Sequence, residues 1–69
     1  MNEANEIEKI MNNMIEEIYL LMVKKDIKKA QLARHFNIAV NTLKSLLESR
    51  KQDYRLLGEI LDYCRKLEK

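Results

Sequence analysis

Residues 28–47 read KKAQLARHFNIAVNTLKSLL. Two short helical patterns meet there at Asn37-Ile38-Ala39. In the first, Leu32, Ala33 and Phe36 fall at i, i+1 and i+4, one face of a helix. In the second, Leu43, Leu46 and Leu47 fall at i, i+3 and i+4. The join between them is tight and needs a residue that tolerates positive φ. Gly does so best and Asn next, and Asn37 stands at that point. Ala33, four residues earlier, has a side chain small enough for two helices to cross closely. Ile38 and Leu43 would plug the angle between them.

Upstream, the apolar spacing predicts a long helix over residues 5–25. Ile7, Met11, Met14, Ile18 and Leu21 step by 4, 3, 4 and 3, the seam spacing of packed helices. Ile10, Ile15 and Met22 widen that stripe. A helix of roughly 20 residues reaches about 30 Å, more than a small helical core covers. Its acidic first half should therefore hold apolar residues for a second copy of the chain, and Ile7, Met11, Met14 and Ile18 are the expected dimer interface. Asp26 or Ile27 marks the break. A second helix is expected over residues 29–36 and a third over 40–49. A fourth, over 53–69, has Leu56, Leu57, Ile60, Leu61, Cys64 and Leu67 on its apolar face. Asp53 can cap it by accepting from first-turn amides.

With no Pro and one Gly, Gly58, the 69-residue chain lacks the turn residues of strand folds. An all-α, single domain over residues 1–69 is expected, with parts at 1–25, 28–49 and 53–69. A core this small rarely supplies more than about 3–5 kcal/mol of net stability. One cysteine, Cys64, makes no internal disulfide, and no Cys/His cluster has metal-ligand spacing. Self-association is the stabilising device that remains, so a homodimer is expected. The charge is blocked. Residues 1–23 carry five acids and one base, residues 24–51 eight bases and two acids, and the net is +2. A basic middle segment is the electrostatic footprint of a nucleic-acid binder. The start of the chain is acidic, unlike a signal peptide, and no apolar run is long enough to span a bilayer. A cytoplasmic protein without membrane, metal or cofactor partners is expected. No Gly-rich phosphate loop and no nucleophile–base grouping suggests an enzyme. His35 reads as a surface residue. Tyr19, Tyr54 and Tyr63 read as edges of the core, and Met11, Met14 and Met22 as core or interface filler.

At residues 28–67 the chain resembles the phage-repressor and Cro-like (Xre) helix-turn-helix family. Leu32-Ala33, Phe36, Ile38 and Thr42-Leu43 match the family pattern, and Asn37 replaces its glycine. Ser49-Arg50-Lys51 falls where the family leaves its recognition helix through a polar loop. There are departures. Lys29 stands for a common glutamine, and Ala39 for the Ser or Thr that caps the recognition helix. Val40 stands for a polar base-reading residue. The resemblance implies a four-helix, lambda-repressor-like domain with an extended N-terminal helix and no fifth helix.

It also implies a function: sequence-specific binding of double-stranded DNA by a homodimeric transcriptional regulator. The third helix would enter the major groove. Val40, Asn41, Lys44 and Ser45 would face bases. Lys28, Lys29, Gln31, Thr42, Arg50 and Lys51 would face phosphates. The alternative is a protein-interaction module, antirepressor or antitoxin-like, that keeps the shape without binding DNA. The acidic first helix and apolar Val40 favour it.

Overall fold

The computed structural model describes residues 3–48, 50 and 53–68, with side chains from residue 6 onward. Four α-helices follow in order: α1 Glu3–Lys25, α2 Lys29–His35, α3 Val40–Leu47 and α4 Tyr54–Lys66. The chain is an all-α, four-helix domain. α1 begins two residues earlier than expected, and α2 and α3 end one or two residues sooner. α4 ends at Lys66, where Leu67 turns extended (φ −69°, ψ 125°).

Each helix gives one stripe to a shared core. α1 supplies Met11, Ile15, Ile18 and Met22, α2 Leu32 and Ala33, α3 Leu43, Leu46 and Leu47, and α4 Leu57, Ile60, Leu61 and Cys64. Ile27 joins them from the turn before α2. Among the described residues no polar or charged residue is buried. Burying a Leu or Ile fully is worth about 1.5–3 kcal/mol, so this apolar set is what opposes chain entropy.

The most extensive helix pairing is α1 with α4, followed by α2 with α3. α1 and α4 run in broadly the same direction. Tyr54, the first residue of α4, lies beside Ile7, Ile10 and Met14. At the far ends, Arg65 meets Glu17 and Lys25 meets the last carbonyls of α4. The 23 residues of α1 and 13 of α4 correspond to lengths of about 34 and 20 Å. α1 therefore outruns its neighbour at the N-terminal end, and the longest dimension of the molecule is 40 Å.

The expected dimer seam divides here. Met11 and Ile18 are closed inside the chain, at 1% and 0% exposure, while Ile7 is 38% exposed and Met14 half-buried. At 3.6 residues per turn, Met11 and Ile18 share the azimuth of Ile15 and Met22, while Ile7 and Met14 are turned roughly 60° away. A step of 4, 3, 4, 3 merges these two neighbouring stripes. Met11 and Ile18 are core residues of the single chain, which corrects their expected place in a dimer interface.

Two turns of one design connect α1 to α2 and α2 to α3. Asp26 and Asn37 both take positive φ, at 54° and 55°. After α1, Ile27 N–H donates to Met22 O at 2.8 Å and Asp26 N–H to Val23 O at 3.4 Å. After α2, Ile38 N–H donates to Ala33 O at 2.9 Å and Asn37 N–H to Arg34 O at 3.2 Å. Each is a Schellman closure, with a left-handed residue followed by an apolar one that packs back on the helix end. Asn37 takes the positive φ its position called for; Asp26 does the same.

Candidate nucleic-acid interface

The turn at residues 36–39 sets α3 against α2. Ala33 and Leu43 are both buried in the shared core, and Phe36 and Ile38 are half-buried against it. The unit is fastened to α4 by a ring cluster. The His35 imidazole stacks on Tyr63 with centroids 4.0 Å apart and planes 23° apart. Phe36 meets both rings edge-on, at 4.9 and 5.7 Å. His35 is exposed as expected, and it also carries this packing role. Helical spacing could not reveal it, because Tyr63 is 28 residues away.

With Leu43, Leu46 and Leu47 facing inward, α3 turns its other side out. Asn41, Lys44 and Glu48 are exposed, and Val40 is 45% exposed. Ser45 is half-buried, one turn after Asn41 and about 40° further round the helix, on the side away from Lys44 and Glu48. The expected base-facing residues therefore fall together, with Ser45 the least accessible. α3 starts without a side-chain cap: Ala39 is extended (φ −69°, ψ 148°) and offers no acceptor. Lys28, at the start of α2, also makes no side-chain cap.

The expected phosphate-facing residues are more scattered. Lys28 is exposed and 3.1 Å from the Asp26 carboxylate. Lys29 is half-buried and, with Tyr19, Met22, Val23, Asp26, Ile27 and Lys28, lines an open groove of about 380 Å³. Gln31 and Thr42 are half-buried. Arg50 is exposed, 3.4 Å from Glu48, and its N–H donates to Ser45 O at 2.9 Å, closing the end of α3. Lys51, also expected to face phosphate, lies outside the described residues. Exposed ion pairs of this kind are worth little, so Asp26 and Glu48 would yield their bases readily to a phosphate.

One base of the middle segment points elsewhere. The Lys25 ammonium donates to Cys64 O at 2.7 Å and Arg65 O at 2.8 Å. It satisfies carbonyls that the end of α4 leaves unpaired and sits at the negative end of that helix dipole. Beside it, Arg65 holds Glu17 through two bonds, Nε to Oε2 at 2.6 Å and Nη2 to Oε1 at 2.9 Å. That fork holds the Glu17 carboxyl below its ordinary pKa and pushes the Arg65 guanidinium higher. Burial pushes the Cys64 thiol up, and the nearby Lys25 charge offsets only part of it. A thiol so placed is buried and ionises less readily than a free one.

Among the described residues no group of three or more His, Cys, Asp or Glu could hold a metal. None of the helices is long and apolar enough to cross a membrane. No protein-family model, curated protein or solved structure matches the chain.

Proposed function

We propose that the chain is a sequence-specific, double-stranded DNA-binding transcriptional regulator that acts as a homodimer. The observation that carries this is the division of α3. Its inner face is buried, while Val40, Asn41 and Lys44 stand exposed on a helix held by a tight Asn37 turn. A short helix so presented has the width and polarity to enter a major groove. The Asn41 amide offers a donor and an acceptor side by side, which suits an adenine edge. Val40 suits a thymine methyl, and Lys44 and Ser45 suit a guanine edge or a phosphate. Lys28, Lys29 and Arg50, with Gln31 and Thr42, would position the backbone.

The test is fluorescence anisotropy with a random-sequence duplex across a salt titration. Binding should weaken with a log–log slope corresponding to about three to five released counterions. After operator selection, Asn41→Ala should cost about 1–3 kcal/mol at one base position. Lys29→Ala should instead weaken all sequences alike and lower the salt slope by about one. Absence of binding at low salt would overturn the proposal. The second reading is a protein-interaction module of the antirepressor or antitoxin kind. What favours it is apolar Val40 on the outer face and the acids already beside Lys28 and Arg50.

A further inference from the structure

α1 carries a second apolar line, Ile7, Ile10 and Met14, beside the buried one. Where this line continues, the chain covers it itself: Arg65 closes over Glu17 and Leu21 packs on the core. Before residue 15 it runs past the start of α4. There Ile7, Ile10, Met14 and Tyr54 line an open groove of about 360 Å³. Ile10 is 57% exposed.

We infer that this groove seats the homodimer, with the first half of α1 from a second copy packing antiparallel into it. The inference rests on the homodimer proposed above and gives it a location. The 3–4 spacing of Ile7, Ile10 and Met14 is that of a helix seam. Each copy thus supplies both a ridge and a groove, as a two-fold interface requires. Charge selects the direction. Residues 1–14 hold Glu3, Glu6 and Glu8 against Lys9 alone. A parallel pair would set two acidic ends side by side and align two helix dipoles. An antiparallel pair centred near Ile10 separates those ends and brings Glu6 of one copy beside Asn13 of the other, an amide that can donate to it.

The rival apolar surface is Tyr19, Leu20 and Val23, on the far side of α1. Tyr19 and Val23 line a groove with Asp26, Lys28 and Lys29, and these two lysines are among those assigned to phosphate, so a dimer seated there would block the proposed DNA contacts. The N-terminal groove is small, so the dimer should be weak, with a Kd on the order of 10 µM.

Sedimentation equilibrium of the full chain, from about 1 to about 500 µM, reads this directly. The mass should rise from 8.3 kDa toward twice that value. Ile10→Lys should weaken association at least about tenfold with an unchanged circular dichroism spectrum, since Ile10 is largely exposed. Asn13→Lys should tighten it about threefold and Asn13→Glu weaken it about as much, each contact occurring twice by symmetry. A chain that stays monomeric throughout overturns the inference, as does an Ile10→Lys variant that dimerises like the parent. Separation by Leu20→Lys or Val23→Lys instead also overturns it. Weakening by Asn13→Lys would overturn the antiparallel register. These readouts involve no DNA. A monomer that binds duplex would sink the interface and the homodimer while leaving DNA binding, and a dimer that ignores DNA would sink the DNA reading alone.

Discussion

Between residues 15 and 25, α1 lies along α4. Ile15, Ile18 and Met22 are buried, Glu17 is forked by Arg65, and Lys25 reaches the last carbonyls of α4. Between residues 6 and 14 the same helix buries only Met11 and leaves Ile7 and Ile10 exposed. Both halves carry apolar residues at helical spacing, so their difference is one of neighbours. The first half projects past the start of a shorter helix, so beyond Met11 and Met14 its apolar side chains, Ile7 and Ile10, find little intramolecular surface to meet. A helix propensity is local, but the stability of a helix in water comes mostly from what its apolar face packs against. The second half is therefore the anchor of the fold, and the first half is surface held by helix continuity.

The largest test of this contrast is a pair of truncations. Ile18→Ala should cost about 2–5 kcal/mol in urea unfolding, through lost transfer energy and a cavity. In a domain with about 3–5 kcal/mol in total, much of the population would unfold at 25 °C. Ile10→Ala, read at protein concentrations where the chain is monomeric, should cost less than about 1 kcal/mol. Equal costs would mean that the first half is as firmly held as the second.

A smaller effect isolates the polar anchor. Lys25→Met keeps the aliphatic stem and removes the ammonium from Cys64 O and Arg65 O, and should cost about 1–2 kcal/mol. Lys24→Met, on the exposed side, should change stability by less than about 0.5 kcal/mol. If the two variants behaved alike, the contact with the end of α4 would contribute nothing.

The smallest effect is read through pH. Glu17 has a lowered pKa in the folded chain because Arg65 favours its ionised form. Its contribution is complete above the ordinary carboxylate value near 4.5 and is lost as pH falls through the lower folded value. Glu17→Gln should flatten the decline in stability below that pH and leave the profile above it parallel to the parent's. An unchanged acid limb in Glu17→Gln would show that solvent screens the fork completely.

Much of the fold was legible along the chain. Of the expected stripes 32/33/36, 43/46/47 and 56/57/60/61/64/67, all are buried except Phe36, Leu56 and Leu67, which are half-buried against the core. The Asp53 carboxylate accepts from Leu56 N–H at 3.1 Å, as its place before α4 suggested. Asn37 takes positive φ between two helical stripes that leave almost no chain to turn in. The candidate base-facing surface was legible for the same reason: if Leu43, Leu46 and Leu47 face inward, Asn41 and Lys44 must face out. The phosphate-facing set was less so. Charge counting placed Lys25 in the same basic block as Lys28 and Lys29, although Lys25 turns to α4 and only the other two stay near the start of α2. The expected dimer set fared similarly, because 3–4 spacing joins Met11 and Ile18 to Ile7 and Met14 without saying where the covering helix ends.

The sequence by itself determined four helices, their inward faces, the Asn37 turn and the Asp53 cap. All of these are set by interactions within a few residues, where spacing fixes azimuth and backbone chemistry fixes φ. Tertiary structure alone decided that Lys25 closes the end of α4, that His35 stacks on Tyr63, that Glu17 holds Arg65 and that α1 outruns α4. Those outcomes join residues 28 to 48 positions apart or compare the lengths of two helices. No local pattern encodes which helix axis will lie at a given azimuth, or how far along it the neighbour begins.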